Sequence, residues 1–169
     1  MLLIALEGPV GTGKTTLLSS LAAWYEARGR TVDGFLAIAG DRGEPGRGAD
    51  RYDLRLVRSG RTLPFAIRDT ERRNLDPPDA GTAPFTVRDP ERRPPYRFDE
   101  DTARALSRWA DGLAACDPPD LLVIDEFGRV EAEGGGHLAL WPAVEAAEPA
   151  VVAVAVRAGA VEAVERHLG

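Results

Sequence analysis

Residues Gly8-Pro9-Val10-Gly11-Thr12-Gly13-Lys14-Thr15-Thr16 spell Gly, four residues, then Gly-Lys-Thr. Few folds are open to a chain that carries this run. Gly8, Gly11 and Gly13 free the backbone for a tight loop whose N–H groups turn inward, the arrangement that cradles a phosphate chain. Lys14 is then placed to reach the outer phosphates and act on them, and Thr15 to offer its hydroxyl to Mg2+. The helix that starts here aims its positive end at the anion.

The flanks supply the required context. Leu2 to Leu6 is a short apolar run that predicts a strand buried on both faces. Leu17, Leu18, Leu21, Ala22 and Tyr25 recur at helical spacing, and Gly29 ends that helix. Lys14 is also the only lysine beside twenty arginines. A compact ammonium has been kept at the one position where a guanidinium fork does not serve.

A length of 169 residues suits one compact domain over 1–169. The net charge of −6 argues against general nucleic-acid binding. No apolar run approaches a membrane span, so the expectation is a cytoplasmic protein without a membrane partner. Cys116 stands alone, and His137 and His167 lack metal-ligand spacing and read as surface histidines.

Residues 31–39 read as a second strand, followed by a Gly- and charge-rich loop over 40–50. Arg51 to Val57 and Thr62 to Ile67 alternate as a hairpin with one wet face. Residues 64–73 and 84–93 repeat one pattern, Pro-Phe-x-[Ile/Val]-Arg-Asp-x-Glu-Arg-Arg. The segment 41–97 holds thirteen of the twenty arginines against ten acidic residues. It predicts an antiparallel, arginine-rich appendage near the phosphate loop, with Tyr52, Phe65, Phe85 and Tyr96 as candidate stacking surfaces. The same segment is the candidate surface for a protein partner.

Phe98-Asp99-Glu100-Asp101 opens a helix with an acidic N-cap, and Ala103, Leu106, Trp109, Ala110 and Leu113 form its apolar face. Leu121-Leu122-Val123-Ile124 then delivers Asp125 and Glu126 to the C-terminal end of a buried strand, where open α/β sheets bind ligands. Asp125 has the position of a carboxylate that holds Mg2+ opposite Thr15, and Glu126 that of a group activating water for attack on a γ-phosphate. Val151 to Val156 is a last buried strand, before a helix lined by Val161, Val164 and Leu168.

Gly8 to Thr16, Gly34-Phe35, Tyr96 and Ile124-Asp125-Glu126-Phe127-Gly128-Arg129-Val130-Glu131 resemble the small nucleoside-triphosphatase family that includes the cancer-related nucleoside-triphosphatase and its thermophilic microbial relatives. The resemblance implies a P-loop NTPase-type three-layer fold with a mainly parallel central sheet and a β-rich insertion. It implies Mg2+-dependent hydrolysis of nucleoside triphosphates, ATP or GTP with loose base preference, to diphosphate and phosphate. By matching positions Lys14, Thr15, Asp125 and Glu126 carry over; Arg129 takes the basic position and Glu131 the acid after it. Gly134-Gly135-Gly136 departs from the bulkier segment usual there.

A migrating phosphoryl group also needs an arginine. Arg129 is the first candidate, three residues past Glu126, with Arg42 and Arg51 behind it. The competing reading is a nucleotide-gated switch or accessory protein with little hydrolysis. A small-molecule kinase is disfavoured because no acceptor site or lid can be picked out.

Overall fold

The computed structural model describes residues 1–40, 49–68, 96–132 and 134–168. In chain order the elements are β1 (Leu2–Gly8), α1 (Lys14–Glu26), β2 (Val32–Ala39), β3 (Arg51–Leu56), β4 (Thr62–Arg68), β5 (Tyr96–Phe98), α2 (Glu100–Leu113), β6 (Leu121–Phe127), α3 (Arg129–Ala132), a 3-10 turn (Gly136–Leu140), α4 (Trp141–Ala146), β7 (Val151–Arg157) and α5 (Val161–Leu168). All seven strands join one sheet in the order β1-β7-β6-β2-β3-β4-β5. The first four in that order run parallel, and β3, β4 and β5 add antiparallel pairs.

Three layers follow from the side-chain pattern. Leu121 and Val123 of β6 join Leu18 and Ala22 of α1 in one core, while Leu122 and Ile124 join Leu106 and Leu113 of α2 and Val144 of α4 in the other. A strand covered on both faces needs no polar alternation, which is why this run is continuously apolar. Asp99 caps α2 by accepting the Thr102 N–H at 2.9 Å, so the acidic start of that helix has a structural cause.

The acidic strand β6 is central, but the phosphate-loop strand is not. Among the described residues β1 pairs only with β7 and forms the sheet margin, and Leu2 is 59% exposed. An apolar run reports that something covers a strand; it does not count lateral neighbours. The described strands of the arginine-rich segment are antiparallel, as expected of the β-rich insertion. They continue the main sheet outward from β2, because the β3 ladder pairs Leu54 and Leu56 with Ala37 and Phe35. Phe65 is therefore buried in the core rather than offered as a stacking surface, and Tyr52, largely buried, keeps only a face in the cavity described below. The second copy of the repeat, with Phe85, lies outside the described residues, as do Arg42 and the side chain of Tyr96.

Gly34 fixes the join between β2 and β6. It lies opposite Val123 with φ of 116°, and a Cβ there would overlap the Val123 backbone. Phe35 beside it is fully buried, edge-on to Trp109 at 5.5 Å between ring centres. The Gly-Phe pair singled out in the sequence is thus a packing device at the sheet's midpoint.

Candidate functional site

The C-terminal ends of β1, β7, β6 and β2 meet at one edge of the parallel sheet. There a cavity of about 380 Å3 is lined by Gly11, Gly13, Lys14, Thr15 and Thr16, by Ala37 to Ala39 and Tyr52, and by Glu126 and Arg157. Parallel strands place all their carboxyl ends on one side, so residues far apart in sequence converge.

The glycine loop has the conformation its residues demand. Gly11 and Gly13 take φ of 85° and 89°, the left-handed region that Cβ-bearing residues avoid. Gly13 caps α1 without a side chain, which leaves the first-turn N–H groups to an anion. Lys14 Nζ donates to the carbonyls of Gly8 at 2.7 Å and Pro9 at 2.8 Å, and the Thr12 hydroxyl donates to Pro9 O at 2.9 Å. The ammonium is held along the loop it is expected to serve.

Asp125 is 1% exposed and hydrogen-bonded to Thr15. Its Oδ2 accepts the Ala37 N–H at 3.1 Å and its Oδ1 the Glu126 N–H at 2.9 Å. Burial pushes its carboxyl up to about 6, seconded by the Glu126 charge and opposed by these hydrogen bonds.

Glu126 is reached by a break in the ladder. Ile124 pairs with Val154 and Phe127 with Val156, so two residues of β6 face one of β7, and Glu126 takes φ of 67°. Such a bulge re-aims a side chain. The Glu126 carboxylate receives Arg157 Nη2 at 2.9 Å and Nε at 3.3 Å.

Glu131 has a different task. It is buried, and its two oxygens accept the N–H groups of Gly128 at 2.9 Å and His137 at 3.1 Å, closing the loop after β6 on itself. A Cβ on Gly136 would overlap that carboxylate, which accounts for one glycine of the Gly134-Gly136 run. Arg129 begins α3, and its side chain lies outside the described residues. Arg51 pairs with Asp53 at 2.8 Å and is not among the residues that line the cavity.

His137 corrects the sequence reading. It is buried, with Phe35 at 4.7 Å and Phe65 at 5.6 Å between ring centres, and burial lowers its pKa against the pull of Glu131 and Glu126. Its neighbours are remote in sequence, so no local pattern marks it as core.

Sequence reasoning missed Arg157 and the hydroxyls of Ser19 and Ser20 as cavity residues, whereas Tyr52, one of the expected stacking surfaces, does line the cavity. For Arg157 a signal existed: it directly follows the apolar run of a parallel strand, and parallel strand ends face ligands.

A glycine loop leading from strand to helix, with an acidic strand one place removed in the sheet, defines an α/β fold of the P-loop NTPase type. The fold matches the solution structure of a human cancer-related nucleoside triphosphatase over 99% of this chain and 85% of that one, with a TM-score of 0.62 and 22% identity. No protein-family model matches the sequence, and no curated protein does. The motifs and the fold comparison point to the same class of fold by separate routes. Among the described residues, no helix is long and apolar enough to cross a membrane.

Proposed function

We propose that this chain hydrolyses nucleoside triphosphates, with loose base preference, to diphosphate and phosphate with the help of Mg2+. The observation that carries the reading is the Glu126 carboxylate in the wall of the cavity that Lys14 and Thr15 also line. The fold neighbour's description as a nucleoside triphosphatase supports it.

Thr15 and Asp125 fit a magnesium ion. They pair a hydroxyl with a buried carboxylate hydrogen-bonded to it. Mg2+ commonly takes one or two protein oxygens and completes its shell with phosphates and water. When bound, Mg2+ supplies charge neutralisation at the phosphate oxygens.

Lys14 turns from the loop carbonyls to the outer phosphates, and the loop N–H groups orient the chain of phosphates. Glu126 accepts the proton of a water whose oxygen bonds to the γ-phosphorus. The bond from that phosphorus to the bridging oxygen breaks, and the electron pair leaves with the diphosphate.

The test is phosphate release from ATP and GTP, with Mg2+ and with excess chelator. Glu126→Gln is expected to lower turnover about 10²-fold or more, with nucleotide affinity kept within about twofold. Turnover equal to the parent's would remove Glu126 from the chemistry.

A pH effect follows from Asp125. Its folded pKa of about 6 lies above the ordinary carboxylate value, so its contribution to stability is full at low pH and is lost as pH rises through about 6. A cation beside the ionised group offsets that loss. The rise in melting temperature on adding Mg2+ is therefore expected to be larger near pH ~7.5 than near pH ~5, by the linkage of ion binding to folding. An equal rise at both would count against Asp125 as the ligand.

One observation favours the competing reading of a nucleotide-gated switch: Glu126 is engaged by Arg157. A base tied to a guanidinium is a poor acceptor for water until something draws the guanidinium away.

A further inference from the structure

Arg157 is held in place from two sides. Across the β1–β7 ladder its backbone lies opposite Gly8, the first residue of the phosphate loop, and on the other side β7 borders β6 and its bulge. Its arm passes over Gly128, where a Cβ would come within 3.2 Å of Arg157 Cδ and 3.4 Å of Nε. The glycine that follows Asp125-Glu126-Phe127 thus leaves room for this side chain. Both guanidinium contacts to Glu126 fall on a single oxygen, Oε2, so the pair is not the two-oxygen fork that makes arginine–carboxylate pairs strong. Arg157 is 43% exposed and Glu126 26%, and pairs of that exposure add little to stability.

We propose that Arg157 reads the terminal phosphate. Its guanidinium, seated on Glu126, shifts to the γ-phosphate of a bound triphosphate and so hands the Glu126 carboxylate to the attacking water. The inference rests on the hydrolase reading above and adds the device that makes the base available only when there is a phosphate to attack. A γ-phosphate outbids a carboxylate for a guanidinium because it offers more charge and three oxygens matched to the planar donor fork. A diphosphate has no group at that place. It leaves Arg157 on Glu126. The same motion puts positive charge on the migrating phosphoryl group, the task for which the sequence had suggested Arg129.

The test compares Arg157→Gln and Arg157→Lys with the parent, each as the full chain. Calorimetry measures affinity for ADP and for a non-hydrolysable ATP analogue; phosphate release gives kcat and KM. For Arg157→Gln the expected result is ADP affinity within about twofold of the parent, analogue affinity reduced about tenfold towards that of ADP, and kcat reduced about 10²-fold. Arg157→Lys keeps the charge without the fork and is expected to fall between the two. An unchanged ratio of analogue to ADP affinity in Arg157→Gln overturns the proposal, as does an equal loss of both affinities with a lowered melting temperature, the mark of a merely structural residue. The affinity ratio reads Arg157 whether or not the parent turns over. Absence of phosphate release from the parent defeats the hydrolase reading instead.

Discussion

Lys14→Ala is expected to reduce triphosphate affinity about 10³-fold while leaving the circular dichroism of the folded chain unchanged. The size follows from two charge-assisted contacts to the outer phosphates, at about 2 kcal/mol each. The preserved fold follows from where the ammonium now sits: it bridges the carbonyls of Gly8 and Pro9 on the loop and is no part of either core. Lys14→Arg is expected to fail nearly as badly, since a planar fork does not fit the space of a compact ammonium. Affinity of Lys14→Ala within about threefold of the parent, by calorimetry with a non-hydrolysable analogue, would remove the loop from nucleotide binding.

Gly34→Ala is expected to be the most damaging single methyl group that can be added to the sheet. The new Cβ would collide with the backbone of Val123, so β2 has to move away from β6 at the centre of the parallel ladder. Gly34 O also accepts the Val57 N–H at 2.9 Å, which ties the β3–β4 hairpin to the same point. The left-handed backbone adds its own penalty. Together these put the cost at no less than about 3 kcal/mol. In a chain of this size that lowers the melting temperature by about 10 °C. Gly60→Ala is the control. Its φ of 66° is also left-handed, but nothing lies within 4 Å of the added carbon, so only the backbone term of about 1 kcal/mol remains. Similar melting temperatures for the two variants would contradict the β2–β6 register.

These two predictions differ in how far the sequence alone could carry them. The conformation of the glycine loop was legible because its physics is local: glycines, lysine and threonine within nine residues define the turn, the cap and the charge. The same holds for Asp99, whose capping bond spans three residues, and for Leu121 to Ile124, whose apolar run ends in two carboxylates. Gly34 was marked by the resemblance alone, and no local pattern explains it. Its necessity depends on Val123, which the chain reaches 89 residues later.

Arg157 and His137 are hidden for the same reason. An arginine after a valine-rich strand becomes a site residue only because that strand lies between β1 and β6. A histidine in a glycine-rich turn becomes core only because two phenylalanines from other strands close over it. The arrangement of strands is a property of long-range pairing, and composition and periodicity do not encode it directly. The resemblance drawn from the two motifs did carry the class of fold, since both motifs keep their order and their placement at strand ends.

The marginal place of β1 has a consequence for how occupancy and cohesion are joined. A strand bonded along one flank opens more readily than an interior one, and here that strand ends in the turn we propose to hold phosphate. Whatever that turn grips must therefore also work against peeling of the strand from β7. The free energy of capture is shared between holding the anion and fastening the outermost seam, and it is spread unevenly across the molecule. Amide exchange that slows through β1 and α1 when nucleotide is added, with the antiparallel far end of the sheet unmoved, is the expected signature of an anion site seated on a marginal strand.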